Sequence, residues 1–278
     1  MPYLIAVSLL WAFSFGLTKG LITGIDGTFI ATARLGLALV VFLPFLRFKG
    51  LTLRTAGTLA ALGAVQFGLM YLAYNESFRH LQAYEVALFT LTTPVFVTLL
   101  ADALDRQFRA RALAAALIAI GGTAVIVFSG KELRPTLLGL GLVQLSNLAF
   151  AAGQVGYKRF RAKYVTLRDR DIFALLYAGA FITALAGLLL NRPLTVTLEG
   201  PQLLVLLYLG VLASGAGFFL WNIGATRVGT GTLAVMNNAK IPLAVACSLI
   251  FFGETADLPR LALSLALLLA AVWLAEKR

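Results

Sequence analysis

The chain has 278 residues, 60% of them hydrophobic and only 13% charged, with a mean hydropathy of +0.91, whereas a soluble globular domain carries about 25% charged residues. Those figures predict a polytopic membrane protein and leave no room for a soluble domain. The formal charge of +11 lies in short loops beside apolar runs, where it sets topology, so no nucleic-acid partner is expected. A single cysteine, Cys247, and a single histidine, His80, exclude a disulfide framework and a Cys/His metal site, and no cofactor is expected.

The N-terminal stretch MPYLIAVSLLWAFSFGL has neither a basic region nor a small-residue cleavage pattern and reads as a retained first span. Breaks at charge, Gly and Pro clusters predict spans at residues 3–20, 28–46, 56–77, 83–101, 110–129, 136–157, 171–190, 201–223, 230–252 and 258–275. Each can cross a hydrocarbon core of about 30 Å at about 1.5 Å per residue. The expected fold class is therefore an all-α polytopic membrane protein with ten transmembrane helices. With the N-terminus inside, fifteen of the 23 basic residues fall on the cytoplasmic side and six on the other. That bias places both termini in the cytoplasm, with the chain in the cell (inner) membrane. The densest basic run, YKRFRAKYVTLRDR, would lie against anionic membrane lipids.

Aligning Pro94 with Pro242 gives an offset of 148 residues, which also pairs Arg79 with Arg227. Earlier in each half, WAFSFG aligns with LAFAAG, matching Ala12, Phe13 and Gly16 to Ala149, Phe150 and Gly153. The expected units are residues 1–130 and 136–278, each with five spans. An odd number forces the second unit to enter from the opposite side. Inverted repeats of this kind accompany secondary transport, with substrate held near the midplane and alternating access around it.

Polar groups in hydrocarbon are costly, so those within spans should face protein or a water-filled cavity. Gln144, Asn147 and Gln154 recur at helical spacing in the sixth span, as do Gln66 and Tyr74 in the third. In the ninth, Asn237 and Lys240 share a face, and the repeat offset maps Leu233, Asn237, Lys240 and Ala244 onto Glu85, Phe89, Thr92 and Phe96 in the fourth. Trp11, Phe15, Phe218 and Trp221 could add rings to a cavity wall. The candidate substrate-binding residues are Lys240, Asn237, Thr92, Phe89, Glu85, Asn147, Gln154, Tyr74, Gln66, Trp221 and Trp11. Pro94 and Pro242 each remove a backbone donor in mid-span, as bends that flex or as static kinks that shape the cavity.

WAFSFGLTKG, ATARLGLALVVFLP, TLTTPVFVTLLADAL and KIPLAVACSLIFFGE resemble the drug/metabolite transporter superfamily in its EamA branch, and within it the YddG-type exporters of aromatic and other neutral amino acids. The resemblance covers nearly the whole chain. It implies a ten-helix basket with helices 1, 3, 4, 6, 8 and 9 around a central cavity.

Lys240 falls near the bilayer centre, where a lysine costs about 2.5–3.5 kcal/mol on the insertion scale. Three readings stay open: it is uncharged, it pairs with Glu85, or it faces a hydrated cavity and attracts an anionic group of the cargo. Arg34, in the second span, is a nearer competitor for Glu76 and Glu85. The expected function is a carrier of aromatic and other neutral amino acids, whose carboxylate Lys240 would hold. The alternative is a drug or other small-metabolite exporter. With no HExxH and no GxSxG, enzymatic chemistry is not expected. The sequence sets no oligomeric state.

Overall fold

Helix starts follow the side-chain chemistry of their caps. Asp26 accepts from Phe29 N, Thr52 and Thr55 form a reciprocal capping box, Thr136 accepts from Gly139 N, and Asp257 accepts from Arg260 N. Each satisfies a backbone donor that the first helical turn leaves open. The structure is a computed structural model that describes residues 1–21, 24–128, 130, 132–191, 198–251, 253 and 255–277. The side chain of Phe15 and the predicted span ends at 129 and 252 lie outside the described residues.

The helices are α1 (Pro2–Leu21), α2 (Gly27–Phe42), α3 (Leu53–Gly63), α4 (Met70–Ser77), α5 (Ala83–Thr90), α6 (Thr93–Asp105), α7 (Ala110–Val127), α8 (Leu137–Lys163), α9 (Asp169–Asn191), α10 (Gly200–Leu207), α11 (Gly217–Thr226), α12 (Thr230–Phe251) and α13 (Leu258–Glu276). A π-helical segment, Ala64–Leu69, joins α3 to α4, and a second, Tyr208–Ala216, joins α10 to α11. Among the described residues, nine helical segments of 18 to 27 residues are long and apolar enough to cross a membrane. The 20-residue α1 stands with them, apolar over Pro2–Ser14. The chain is an all-helical, multi-pass membrane protein.

Packing is closest where α3 crosses α9. A Cβ on Gly63 would lie 1.9 Å from the Leu176 carbonyl oxygen, and one on Gly179 would lie 1.9 Å from that of Ala60. Small residues let membrane helices approach in this way. Beside the crossing, Phe42 packs against Phe173, Tyr177 and Phe219 with ring centroids 4.9–5.8 Å apart.

The two prolines occupy different places in their helices. The fourth span, Ala83–Asp105, loses its regular hydrogen-bond ladder between α5 and α6 at Leu91 and Thr92, which keep right-handed helical torsions, and Pro94 occupies the first turn of α6, where its missing N–H is not needed. Pro242 lies inside the uninterrupted α12. At the break the exposed carbonyls are met by side chains. Asn147 Nδ2 donates to Phe89 O at 2.9 Å, Thr93 Oγ1 to Thr90 O at 2.9 Å, and Asn238 Nδ2 to Leu91 O at 3.0 Å. Unpaired backbone groups cannot stand in hydrocarbon, so these donors are what permits the break.

One face of the bundle carries the basic loops. There Arg109 forks between Asp102 (2.7 Å) and Asp105 (2.6 Å), and Arg159 of α8 pairs with Asp105 of α6. Asp102 first, then Asp105, raise the Arg109 guanidinium pKa above its ordinary value.

Candidate functional site

The second π segment is pinned from three helices. Trp11 Nε1 of α1 donates to Ala213 O at 2.8 Å, and the Tyr177 hydroxyl of α9 lies 2.9 Å from Ser214 O and 2.6 Å from Gly215 O. Arg34 Nε of α2 donates to Ser214 Oγ at 3.0 Å. A π segment leaves the regular hydrogen-bond ladder locally and often marks a functional site. Here its carbonyls take the side-chain donors, and the donors bring Trp11 and Arg34 together on consecutive residues.

Lys240 joins the same group. Its Nζ lies 5.4 Å from the Trp11 ring centroid, a cation–π arrangement that partly offsets the loss of water. Among the described residues no carboxylate lies within ion-pairing distance of Lys240 or of Arg34. Among the described residues Arg34 makes one hydrogen bond, from Nε, with its guanidinium carbon 5.2 Å from the Tyr71 ring centroid, which leaves its two terminal nitrogens without a partner among those residues. Both cations are partly buried. Each is therefore a candidate for attracting an anionic group.

An aromatic wall adjoins the cations. The ring of Trp11 lies 5.0 Å from Trp221, 5.6 Å from Phe218 and 6.4 Å from Phe150. Beyond Trp221, two amide pairs cross the bundle. Gln154 and Asn237 bond reciprocally at 3.1 and 3.2 Å, and Trp221 Nε1 donates to Gln154 Oε1 at 3.1 Å. Gln66 Nε2 donates to Asn222 Oδ1 at 3.3 Å. A Cβ on Gly153 would lie 2.0 Å from the Gln66 Cβ, so that glycine is what lets Gln66 lie against α8.

Under this amide belt a cavity of about 900 Å³ opens at the basic face, lined among others by Arg54, Leu62, Val155, Lys158, Arg159 and Leu233. The belt reaches it directly, since Asn237 Nδ2 also donates to Leu233 O at 2.8 Å. Lys240 and Trp11 are not in its lining. The belt residues stand beside the cavity through their chain neighbours Leu62, Val155 and Leu233.

The structure groups Lys240, Trp11, Trp221, Gln154, Asn237 and Gln66. It places the other predicted residues differently. Glu85 is 3% exposed, and its two oxygens accept from Gln82 N at 2.9 Å and Arg134 N at 2.8 Å. It caps α5 and holds the loop before α8, so neither Lys240 nor Arg34 has it as partner. Thr92 and Asn147 are bonded to one another at 3.0 Å and serve the α5–α6 break with Gln144. Phe89 and Tyr74 pack on a small apolar cluster of Leu81, Val86 and Val143, and Tyr74 also stands within electrostatic reach of Arg34 and Tyr71. The sequence reading used Arg34 only as a competitor for acids. An intramembrane charge is a site candidate in its own right, which was the signal for it.

This arrangement has known relatives. A profile of the EamA-like transporter family matches residues 1–128. A protein of Pseudomonas aeruginosa described as a probable biotin transporter is 44% identical over 276 residues, covering 98% of this chain and 96% of its own. The chain belongs to the EamA-like transporter family. Proteins described as biotin transporters in Salmonella typhimurium and in Escherichia coli strain K12 are each 38% identical to this transporter over 280 residues, covering 100% of it and 93% of their own length. A crystal structure 19% identical in sequence superposes with a TM-score of 0.82 over 99% of the transporter and 96% of that chain, a likeness of fold.

Proposed function

We propose that this family member carries a monocarboxylate with a hydrogen-bonding head group, biotin foremost, across the cell (inner) membrane by alternating access. The observation that carries the reading is the pair Lys240 and Arg34, two intramembrane cations without a carboxylate partner among the described residues, beside the rings of Trp11 and Tyr71. An ionised carboxylate offsets the desolvation of both. The names of relatives up to 44% identical over nearly the full length support biotin, an alkyl carboxylate with a cyclic urea at its other end. The repeat offset supports two five-helix units of opposite topology, residues 1–130 and 136–278, and the basic loops support cytoplasmic termini.

Aromatic and other neutral amino acids are the second reading, favoured by the ring-lined wall. An amino acid also carries an ammonium group. It would enter a site with two cations, and Glu85, the acid the sequence offered, is already bonded twice.

The test is uptake by purified protein in liposomes, comparing biotin with its amide, which keeps the head group and removes the charge. Uptake of the acid in preference to the amide supports the carboxylate reading. Equal uptake of both rejects it and brings a drug-exporter reading forward. Phenylalanine that competes as well as unlabelled biotin would put amino acids first.

A further inference from the structure

The two amide pairs of the belt differ in one respect. In the Gln154–Asn237 pair each amide oxygen has a donor, and Gln154 Oε1 has two. In the Gln66–Asn222 pair, Gln66 Oε1 has none, although Gln66 is 0% exposed. Only three buried polar side-chain atoms among the described residues lack a partner, and the others are the hydroxyls of Ser8 and Ser264 on α1 and α13. A buried acceptor left unmatched costs about 1–3 kcal/mol, and such an atom in a folded protein calls for a reason.

Rotation of the side chain does not easily remove that cost. Gln66 is wedged against Gly153, its Nε2 is held by Asn222, and Asn222 in turn donates to Phe218 O at 3.0 Å. The next residue, Phe67, stacks on Phe218 with centroids 4.3 Å apart. Phe218 and Trp221 both pack on Trp11, the ring beside Lys240. The open acceptor and the cations thus stand at opposite ends of one aromatic wall.

We propose that Gln66 determines head-group specificity: its Oε1 accepts a hydrogen bond from an N–H donor of the cargo, of the cyclic urea or amide class, when the cargo's carboxylate sits at Lys240 and Arg34. This rests on the carboxylate reading above and adds to it a second point of recognition. The Gln66 carboxamide faces a urea with complementary chemistry, since its oxygen takes the N–H and the amide nitrogens of the pair can give to the urea oxygen. A site built to bond an N–H rejects an analogue that lacks it, because the buried acceptor then stays unpaired. Arrival of the donor also completes the belt's hydrogen bonding, beside the basic-face cavity.

The test is equilibrium binding to the purified full-length protein, with biotin and with thienylvaleric acid, which has a ring and the acid chain but no N–H. Wild type should prefer biotin by roughly tenfold or more. Gln66→Met, which keeps length and removes the acceptor, should lose that preference while its affinity for thienylvaleric acid stays unchanged, a sign that the site is folded. Retention of the preference by Gln66→Met overturns the proposal and leaves the carboxylate reading standing. If the variant binds neither acid, the ligand decides on the unaltered chain. N,N′-dimethylbiotin binding roughly tenfold more weakly than biotin supports the role, and equal binding overturns it. A wild-type protein that binds neither acid overturns the carboxylate reading and this proposal with it.

Discussion

Trp11 and Ala213, 202 residues apart in the chain, are joined by one hydrogen bond of 2.8 Å from the indole nitrogen to a carbonyl in a π-helical turn. The same indole ring stands beside Lys240 and packs on Trp221. One side chain therefore ties the backbone irregularity of the Gly200–Thr226 span to the cation and to the ring that roofs the amide belt. Any movement of that π turn shifts the wall on which the cargo is proposed to lie.

Trp11→Phe separates these roles. The phenyl ring keeps most of the packing, but Ala213 O loses its donor in a water-poor interior, at a cost of about 1–3 kcal/mol. The expected outcome is a lower thermal unfolding midpoint in detergent together with slower transport. An unchanged midpoint would mean that the carbonyl finds another donor.

Lys240→Ala should raise the KM for a carboxylate substrate by about tenfold to a hundredfold, from loss of a charge-assisted bond worth about 1.5–3 kcal/mol, and leave the amide analogue unaffected. Arg34→Lys keeps the charge but removes the planar fork and the bond to Ser214 Oγ, so it should also weaken uptake. Liposome uptake of the acid and the amide by each variant reads both effects. An unchanged acid-to-amide ratio in both variants would remove the cation pair from the site.

Glu85→Gln should leave KM at the wild-type value and lower thermal stability, because both carboxylate oxygens serve backbone donors of Gln82 and Arg134. A shift in KM with no loss of stability would return this residue to the cargo.

The membrane spans were legible because hydropathy, caps and charge all mark the same boundaries: Asp26, Thr52, Thr136 and Asp257 stand where helices begin. The site was legible in part. An intramembrane lysine and amides at helical spacing announce themselves by cost, which is what makes Lys240, Gln66, Gln154 and Asn237 candidates that the structure brings together. What periodicity does not carry is the destination of each donor. Asn147 and Thr92 look like Gln154 in sequence, yet they serve a backbone break, and the break depends on how α5, α6 and α8 meet. The π segments are equally silent, since Ala64–Leu69 and Tyr208–Ala216 have the composition of ordinary α-helix. Arg34 was seen, but its partner Ser214 is 180 residues away, and only packing brings them together.

On the basic face, Asp102→Asn should destabilise the protein more than Asp105→Asn does. Asp102 is 7% exposed and accepts from both the backbone N (2.9 Å) and the side chain (2.7 Å) of Arg109. Asp105 has 34% side-chain exposure, and exposed pairs contribute about 0–1 kcal/mol, against about 3–5 kcal/mol for breaking a buried one. Thermal unfolding of the two variants ranks them. The reverse order would make the Asp105–Arg159 contact between α6 and α8 the stronger tie.

Pro94 and Pro242 should respond differently to alanine. Pro94→Ala restores an N–H at the first turn of α6, where helices leave such donors open anyway, and the break stays held by Asn147, Thr93 and Asn238. Pro242→Ala restores a donor inside the continuous α12, where proline costs about 3 kcal/mol and favours a kink, so the helix stiffens just after Lys240. Under the proposed alternating access, exchange between the two access states should slow for Pro242→Ala and stay near wild type for Pro94→Ala. Leu233→Cys below the belt and Val245→Cys above it, each in a Cys247→Ser background, report the exchange through the rates at which a membrane-impermeant thiol reagent labels them from either side. Equal slowing by both alanines would mean that the two prolines act as a matched pair of hinges despite their different places in the helices.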